Sequence, residues 1–192
     1  SRGLGDVYKR QILIPTMIGY VKSANITSAD QTAASIRKTV ANTISSMETK
    51  GCTLKGDGKW DVDIANAAGS NPTFTVGGVA SDSADTTSTL DVSGKKSNGD
   101  EWGTSDMCKS IANALKNDLK EIKAGSAIIV IKNGVCAQVA YSSSDSVKDF
   151  AEIKPANFAA DGNEDGVIDG DIIGTNPKVT KDNVAASSTA TP

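Results

Sequence analysis

The chain has 192 residues and a mass of 19.7 kDa, enough for one domain with a core of its own. Apolar residues make up 38%, aromatic residues 4%, and there are 18 glycines, which indicates a modest core with generous loops and excludes a fibrous repeat. The net charge of −3 gives no electrostatic reason for nucleic-acid binding. The chain contains no histidine, which excludes Ser-His-Asp and Cys-His catalysis and histidine-ligated zinc.

The first eleven residues do not resemble the rest of the chain. They read SRGLGDVYKRQ and show no apolar periodicity. Residues 6–11 match the translation of a transposon-end sequencing adaptor, which indicates a non-native start joined to a truncated chain. The alternative is a genuine polar N-terminal arm. We therefore leave residues 1–11 out of the fold prediction.

An amphipathic helix is predicted over residues 12–50, because apolar and small residues recur there at steps of three and four. Gly51 stands at the C-cap position, and Asp30 and Arg37 fall on the polar part of the wheel. The first turns of this helix are apolar on nearly every side and contain Pro15. This pattern is typical of the last turns of a longer hydrophobic helix, and an ordinary buried helix end is the alternative. The stripe consists of Ile18, Val21, Ala29, Ala33, Ile36, Val40, Ile44 and Met47.

The middle of the chain, residues 53–103, is rich in Gly, Ser, Thr, Asp and Asn and contains no chemical motif. Two short alternating pieces, residues 73–76 and 89–92, predict brief strands between turns. Three aspartates in this segment could be paired as carboxylates for glycoside hydrolysis, but the composition favours solvated acids in loops. These aspartates are Asp57, Asp61 and Asp63.

A second amphipathic helix follows the middle segment. Thr104 or Ser105 can cap its start, and Gly125 follows its end at about residue 124. Its apolar stripe consists of Met107, Cys108, Ile111, Leu115, Leu119 and Ile122.

The strongest local signal in the sequence is Asn133-Gly134 between two apolar runs, residues 127–131 and 135–141. This pattern predicts a β-hairpin whose two turn residues both have positive φ. Residues 142–181 are polar and are predicted to be loop, and residues 182–192 are predicted to be a disordered tail.

The run ILIPTMIGYVK at residues 12–22, followed by SAD at 28–30 and AASI at 33–36, resembles the first helix of bacterial type IV pilins, most closely those of clostridial Gram-positive bacteria. The later order, a helix and then an Asn-Gly hairpin that ends in Val-Ala-Tyr, is similar to the same group. The hallmark of the family, a prepilin peptidase motif with its glycine cleavage site and glutamate, would lie upstream of Gln11.

The resemblance implies an α+β fold in which a long N-terminal helix packs on a small antiparallel sheet, with a second helix and the hairpin. The C-terminal part of the pilin helix would occupy residues 12–50 and a globular head residues 51–181, between the non-native start and the tail. The hydrophobic end of the helix would lie in the membrane and later pack against copies of itself in a filament. The residues implied in this assembly are Ile12, Leu13, Ile14, Pro15, Met17, Ile18, Tyr20 and Val21.

The implied function is that of a structural subunit of a type IV pilus, with no catalysis. Its partners would be copies of itself in a helical, extracellular filament on the bacterial surface and, before assembly, the inner membrane and the pilus assembly machinery. A pseudopilin of a type II secretion or DNA-uptake system is the alternative in the same class. An exported calcium-dependent binding module resembling a dockerin is the alternative from another class, although dockerins carry two calcium loops and this chain has one candidate.

The three cysteines are too few for a disulfide scaffold and lack the CxxC spacing of zinc and redox sites. In an exported protein, two of them could form one disulfide and leave one free thiol. Free cysteines that pack as small hydrophobic residues are the alternative. The residues concerned are Cys52, Cys108 and Cys136.

An acidic segment near the C-terminus has the spacing of the first nine positions of a calcium loop. Oxygen ligands recur at alternate residues, Gly166 stands at the sharp turn, and Val167 follows with a backbone carbonyl. The twelfth position is Ile172, so the nearest closing carboxylate comes one residue early, and a solvated acidic turn is the alternative. The candidate calcium ligands are Asp161, Asn163, Asp165, Val167, Asp169 and Asp171.

Overall fold

The structure, a computed structural model, describes residues 3–65, 72–77, 89–144, 166–168 and 171–179, with side chains described from residue 23 onward except at residues 167 and 168. Within these residues it is an α+β domain with two helices and antiparallel strands, which confirms the predicted class. The elements in chain order are α1 (Gly3–Thr49), β1 (Cys52–Lys55), β2 (Gly58–Ala65), β3 (Thr73–Gly77), β4 (Asp91–Gly94), α2 (Thr104–Asp118), β5 (Gly125–Lys132), β6 (Val135–Ser142), β7 (Val167–Ile168) and β8 (Asp171–Asn176).

Six strands form one antiparallel sheet in the order β3-β2-β5-β6-β8-β7, and β1 pairs separately with β4. Successive side chains of a strand point to opposite faces of the sheet. Trp60 of β2 and Ile129 of β5 therefore belong to the core beneath α1 and α2, while the residues on either side of Ile129 point to the other face. A smaller second core lies there and consists of Ile128, Val130, Ala140, Ile173 and Val179. The centre of the sheet is therefore buried on both faces.

The stripe predicted for the first helix is confirmed wherever its side chains are described; Ile18 and Val21 lie outside that part. The end of the helix is also confirmed, since Gly51 has a φ of +84° and donates its N–H to the carbonyl oxygen of Glu48 at 2.9 Å. Helix α1 begins at Gly3 and so includes residues that were left out of the fold prediction. The buried residues of the stripe are Ala29, Ala33, Ile36, Val40, Ile44 and Met47.

The N-cap of α2 is Gly103, so the predicted cap at Thr104 or Ser105 is wrong. Instead of a capping hydroxyl, Asp106 Oδ2 accepts the N–H of Gly103 at 3.0 Å, and Lys96 donates to Asp106 Oδ1 at 3.1 Å. These two hydrogen bonds, chiefly that from Lys96, hold the pKa of the Asp106 carboxyl below its ordinary value.

Helix α2 ends at Asp118, earlier than predicted. Leu119 leaves the helical region with a φ of −118° and a ψ of 44°, and its side chain is buried in the core. The Asp118 carboxylate accepts a hydrogen bond from the Thr39 hydroxyl of α1 at 2.8 Å, which fixes the end of α2 on α1. The predicted stripe is confirmed within the helix, where Met107, Cys108, Ile111 and Leu115 are buried. Leu119 and Ile122 lie beyond the end of the helix, Leu119 buried and Ile122 partly buried.

The predicted hairpin is confirmed. Asn133 has a φ of 52° and Gly134 a φ of 76°, as a type I′ turn requires. The turn pairs Lys132 with Val135 and Ile131 with Cys136, and a β-bulge next to Val130 then shifts the register by one residue, so that Ile129 lies opposite Val139 on the helix-facing side.

Strands also lie where loops were predicted. The prediction of loop over residues 142–181 is wrong at β7 and β8, and β1 and β2 were not predicted. Strand β3 matches the first predicted brief strand, and β4 overlaps the second at residues 91–92. The sequence of β8, DIIGTN, has no alternation, and its pairing with β6 is non-local. Residues 182–192 lie outside the described part of the chain.

Candidate functional site

Helix α1 and the sheet approach each other very closely at Gly174 in β8. A Cβ added there would lie 2.0 Å from the carbonyl C and O of Ala29 and 2.5 Å from the nitrogen of Asp30. The helix backbone therefore lies directly on the strand backbone, and only a glycine leaves room for it. Ala33, one turn along α1, is fully buried, so small side chains continue the contact.

Asp30 binds the outer edge of β8. Its Oδ1 accepts the backbone N–H of Thr175 at 3.0 Å, and its Oδ2 lies 3.3 Å from Lys178 Nζ. The N–H of Ile173, two residues earlier, is donated to the carbonyl oxygen of Gly166 at 2.8 Å. Unpaired N–H groups on an edge strand are templates for pairing with another chain, so these two bonds close the edge at these positions.

Arg37 joins the start of β6 to the end of β8. Its Nε donates to the carbonyl oxygen of Cys136 at 3.4 Å, and its Nη1 donates to Asn176 Oδ1 at 3.2 Å. Burial raises the pKa of the adjacent Cys136 thiol to about 11, against a smaller lowering effect of Arg37. Together, Asp30, Arg37 and Gly174 form what we call the α1 dock, which fixes the helix on the edge of the sheet.

The eight residues implied in filament assembly all belong to α1. The structure describes their backbone but not their side chains. Neither described helix contains a stretch that is both long enough and apolar enough to cross a bilayer. The assembly role of these residues stays a prediction.

The candidate calcium loop lies mostly outside the described residues, since only Val167, in β7, and Asp171, in β8, belong to them among the six candidate ligands. The Asp171 carboxylate accepts a hydrogen bond from the Ser144 hydroxyl at 3.0 Å. Gly166 has a φ of +77°, as expected at a sharp turn, and packs against Ile26 of α1. Over the described ranges, no cluster of three or more metal-ligating side chains occurs, so calcium binding stays a prediction.

All three cysteines are buried and free in this structure, as in the alternative in which they pack as small hydrophobic residues. Burial raises the pKa of the Cys52 thiol, and the carboxylates of Asp106 and Glu48 raise it further. The Cys52 and Cys136 thiols are therefore protonated at neutral pH and are poor nucleophiles.

The three aspartates of the middle segment have structural partners. Asp61 and Asp63 lie in β2, so the prediction that they are loop acids is wrong for both. Asp57 precedes that strand and accepts the backbone N–H of Asn133 at 2.6 Å, which ties it to the hairpin turn. Asp61 lies 3.7 Å from Lys59, as an ion pair on the same strand.

The residues of the α1 dock were missed by sequence reasoning, although signals for them exist. Asp30 and Arg37 are seven residues apart, so they lie on the same side of the helix, at the border of the buried stripe. An isolated glycine inside a strand, such as Gly174, often marks the close approach of another backbone. That second signal needs the strand to be recognised first.

Comparisons with protein-family models, with curated proteins and with solved structures find no match to this chain.

Proposed function

We propose that this chain is a structural subunit of a type IV pilus filament that assembles through its N-terminal helix. The observation that carries the proposal is the α1 dock. The described contacts of α1 run from Ile26 to Met47, and the same continuous helix carries the apolar segment at residues 12–21. From Ile12 to Thr49 the helix is about 57 Å long, whereas the stretch from Ile26 to Met47, whose contacts with the rest of the domain are described, is about 33 Å long.

The chemistry of the dock suits a filament subunit. In a filament held together by its helices, force passes from one subunit to the next through α1, so α1 must keep its position on the globular head of its own subunit. The backbone contact at Gly174 and the two hydrogen bonds of Arg37 both hold it there. Asp30 closes the edge of β8, which directs association away from strand pairing and toward the helix. The resemblance to type IV pilins at residues 12–36 supports the same function.

The test compares two forms of the chain in a bacterium that has a pilus assembly system. Residues 12–192 alone should be a monomer, whereas a form with about 20 apolar residues and a prepilin leader before Ile12 should enter the membrane and surface filaments. Electron microscopy with an antibody to the head reads out the filaments. In the extended form, Ile14→Lys should abolish filaments without lowering the melting temperature of the head, because it disturbs assembly alone.

Three results would overturn or redirect the proposal. Ordered fibres from residues 12–192 alone would show that the head, not the helix, drives assembly. An upstream gene sequence that encodes a secretory signal with small-residue cleavage would exclude a pilin. Short filaments confined to the periphery of a secretion system would assign the chain to the pseudopilins.

A further inference from the structure

The chain contains two Asn-Gly dipeptides, Asn98-Gly99 and Asn133-Gly134, and both lie in tight turns. In such a pair, the backbone nitrogen of the glycine can attack the Cγ of the asparagine, because the attack closes a five-membered ring and glycine has no side chain to obstruct it. Ring closure needs a glycine N–H that is free to lose its proton. The two turns differ in what holds that N–H.

The N–H of Gly134 is held by a distant part of the chain. It donates to the carbonyl oxygen of Gly56 at 2.9 Å, and the N–H of Asn133 donates to Asp57 Oδ1 at 2.6 Å. Gly134 is buried, and an added Cβ would lie 2.2 Å from the carbonyl oxygen of Leu54. Release of the Gly134 N–H therefore requires the tip of the hairpin to separate from β1 and from the turn that follows β1.

The N–H of Gly99 is held within its own turn. It donates to the carbonyl oxygen of Lys96, three residues earlier, at 2.9 Å. Asn98 and Gly99 are exposed, and nothing lies within 4 Å of a Cβ added at Gly99. The base of the turn is fixed separately, because Lys96 donates its N–H to the carbonyl oxygen of Asp100 at 2.7 Å. The tip at residues 97–99 can therefore open without disturbing a core contact.

Asp100 holds the side-chain amide of Asn98 at both ends. The backbone N–H of Asp100 donates to Asn98 Oδ1 at 3.1 Å, and Asn98 Nδ2 donates to Asp100 Oδ2 at 2.7 Å. An N–H donor at Oδ1 stabilises the negative charge that this oxygen acquires when Cγ is attacked. Within the described residues, the side chain of Asn133 makes no hydrogen bond, so it has no such donor there.

We propose that Asn98 is a site of spontaneous deamidation in the folded chain and that the fold protects Asn133 from the same reaction. The Gly99 nitrogen loses its proton to hydroxide and bonds to Cγ of Asn98, the Cγ–Nδ2 bond breaks, and ammonia leaves with a proton taken from water. Water then opens the resulting succinimide at either carbonyl, which gives aspartate or isoaspartate at position 98. The proposal does not rest on filament assembly.

Deamidation changes both the charge and the geometry of this turn. It adds one negative charge to the net charge of −3, because a neutral amide becomes a carboxylate. The new carboxylate faces that of Asp100, to which the amide nitrogen of Asn98 donates at 2.7 Å, so an attraction becomes a repulsion. Isoaspartate also lengthens the backbone by one methylene group. The turn at residues 97–100 therefore gains negative charge as the molecule ages.

The test follows both asparagines in the whole folded chain at mildly alkaline pH. Trypsin cleaves after lysine, so the two sites fall in separate peptides, residues 97–109 and 133–148, and mass spectrometry reads the change from amide to acid in each. In the folded chain, Asn98 should react at least about tenfold faster than Asn133. In concentrated urea the two rates should agree within about threefold, because both glycine N–H groups are then free.

Two variants address the two turns one at a time. Gly99→Ala places a methyl group beside the attacking nitrogen and should slow the reaction of Asn98 while leaving that of Asn133 unchanged. Asp57→Ala removes the acceptor of the Asn133 N–H and should speed the reaction of Asn133 alone. Thermal melts establish that each variant is folded, and Asp57→Asn replaces Asp57→Ala if it is not.

Two outcomes would overturn the proposal. Equal rates at Asn98 and Asn133 in the folded chain, whether fast or slow, would mean that the two turns protect their glycine N–H groups equally. The same ratio of rates in folded and urea-unfolded chains would mean that the neighbouring residues, and not the fold, decide which asparagine reacts.

Discussion

The β5–β6 hairpin and the α1 dock are both held by a glycine at a close approach between backbones, but they differ in where their information lies. The hairpin is encoded within one short stretch, by two alternating runs and the Asn133-Gly134 turn. The dock joins residues that are 139 and 145 positions apart, as in the bonds from Arg37 to Asn176 and from Thr175 to Asp30. Local chemistry specifies the first, and complementary shapes brought together by folding specify the second.

The two glycines also meet different demands. Gly134 needs a φ of 76°, and a Cβ there would lie 2.2 Å from the carbonyl oxygen of Leu54, so both its conformation and its space are restricted. Gly174 has no positive φ and is restricted by space alone. Substitutions can therefore separate the cost of a contact from the cost of a backbone conformation.

The largest expected effect is at the dock. Gly174→Val would place side-chain atoms where the backbone of Ala29 lies, and neither backbone can move without shifting the helix, so we expect a loss of about 3 kcal/mol or more in the free energy of unfolding. Gly77→Ala, at the end of β3, is the control, because nothing lies within 4 Å of its added Cβ. Denaturant unfolding measures both, and equal midpoints would show that α1 does not rest on β8 in this way.

The hairpin should be the next most sensitive place. Gly134→Ala combines a positive φ with a clash against β1, and we expect it to cost about 2 kcal/mol. Gly99→Ala is the matched control, since Gly99 has a φ of +92° but nothing within 4 Å of an added Cβ, and it should cost about 1 kcal/mol. If the two variants melt together, the contact between the hairpin tip and β1 contributes nothing.

The contrast between local and non-local contacts also explains which parts of the fold can be predicted from the sequence. The helical stripes, the C-cap at Gly51 and the hairpin rest on local periodicity and turn chemistry, and all three were predicted. Strand β8 was not, because its segment DIIGTN does not alternate and is held by Asp30 and by β6. Strand β2 does alternate, from Trp60 to Ile64, but the aspartates between its buried residues led to a prediction of loop.

For the candidate sites too, the features encoded in one contiguous segment were predicted and the non-local ones were not. The assembly segment was predicted through a resemblance in contiguous sequence. The α1 dock combines residues from distant parts of the chain, and no pattern in a single segment contains it. Asp30 and Arg37 were assigned to the polar part of the wheel, since periodicity alone cannot tell a solvated charge from one that borders a buried stripe.

Asp30 should have an intermediate effect, which comes from its bond to the edge of β8 and not from its ion pair. Asp30→Ala leaves the N–H of Thr175 without its acceptor, and we expect a loss of about 1–2 kcal/mol. Lys178→Ala removes only the ion pair of a lysine side chain that is 58% exposed, and should cost less than about 0.5 kcal/mol. Denaturant unfolding compares the two variants, and equal losses would mean that the ion pair, not the edge N–H, is what Asp30 contributes.

The last expected effect is a pH dependence at Cys136, where the hairpin and the dock meet. Its pKa is raised to about 11 in the folded chain, from about 8.5 in an unfolded one, because burial disfavours the thiolate. Its contribution to stability is therefore fully present below about pH 8.5 and is lost as the pH rises, by about 1.4 kcal/mol per pH unit at most, since the unfolded chain releases the proton first. The stability of Cys136→Ala should fall less steeply than that of the unmodified chain between about pH 8.5 and 10. Urea titrations in a reducing buffer measure both slopes, and parallel curves would mean that the thiol reaches water in the folded protein.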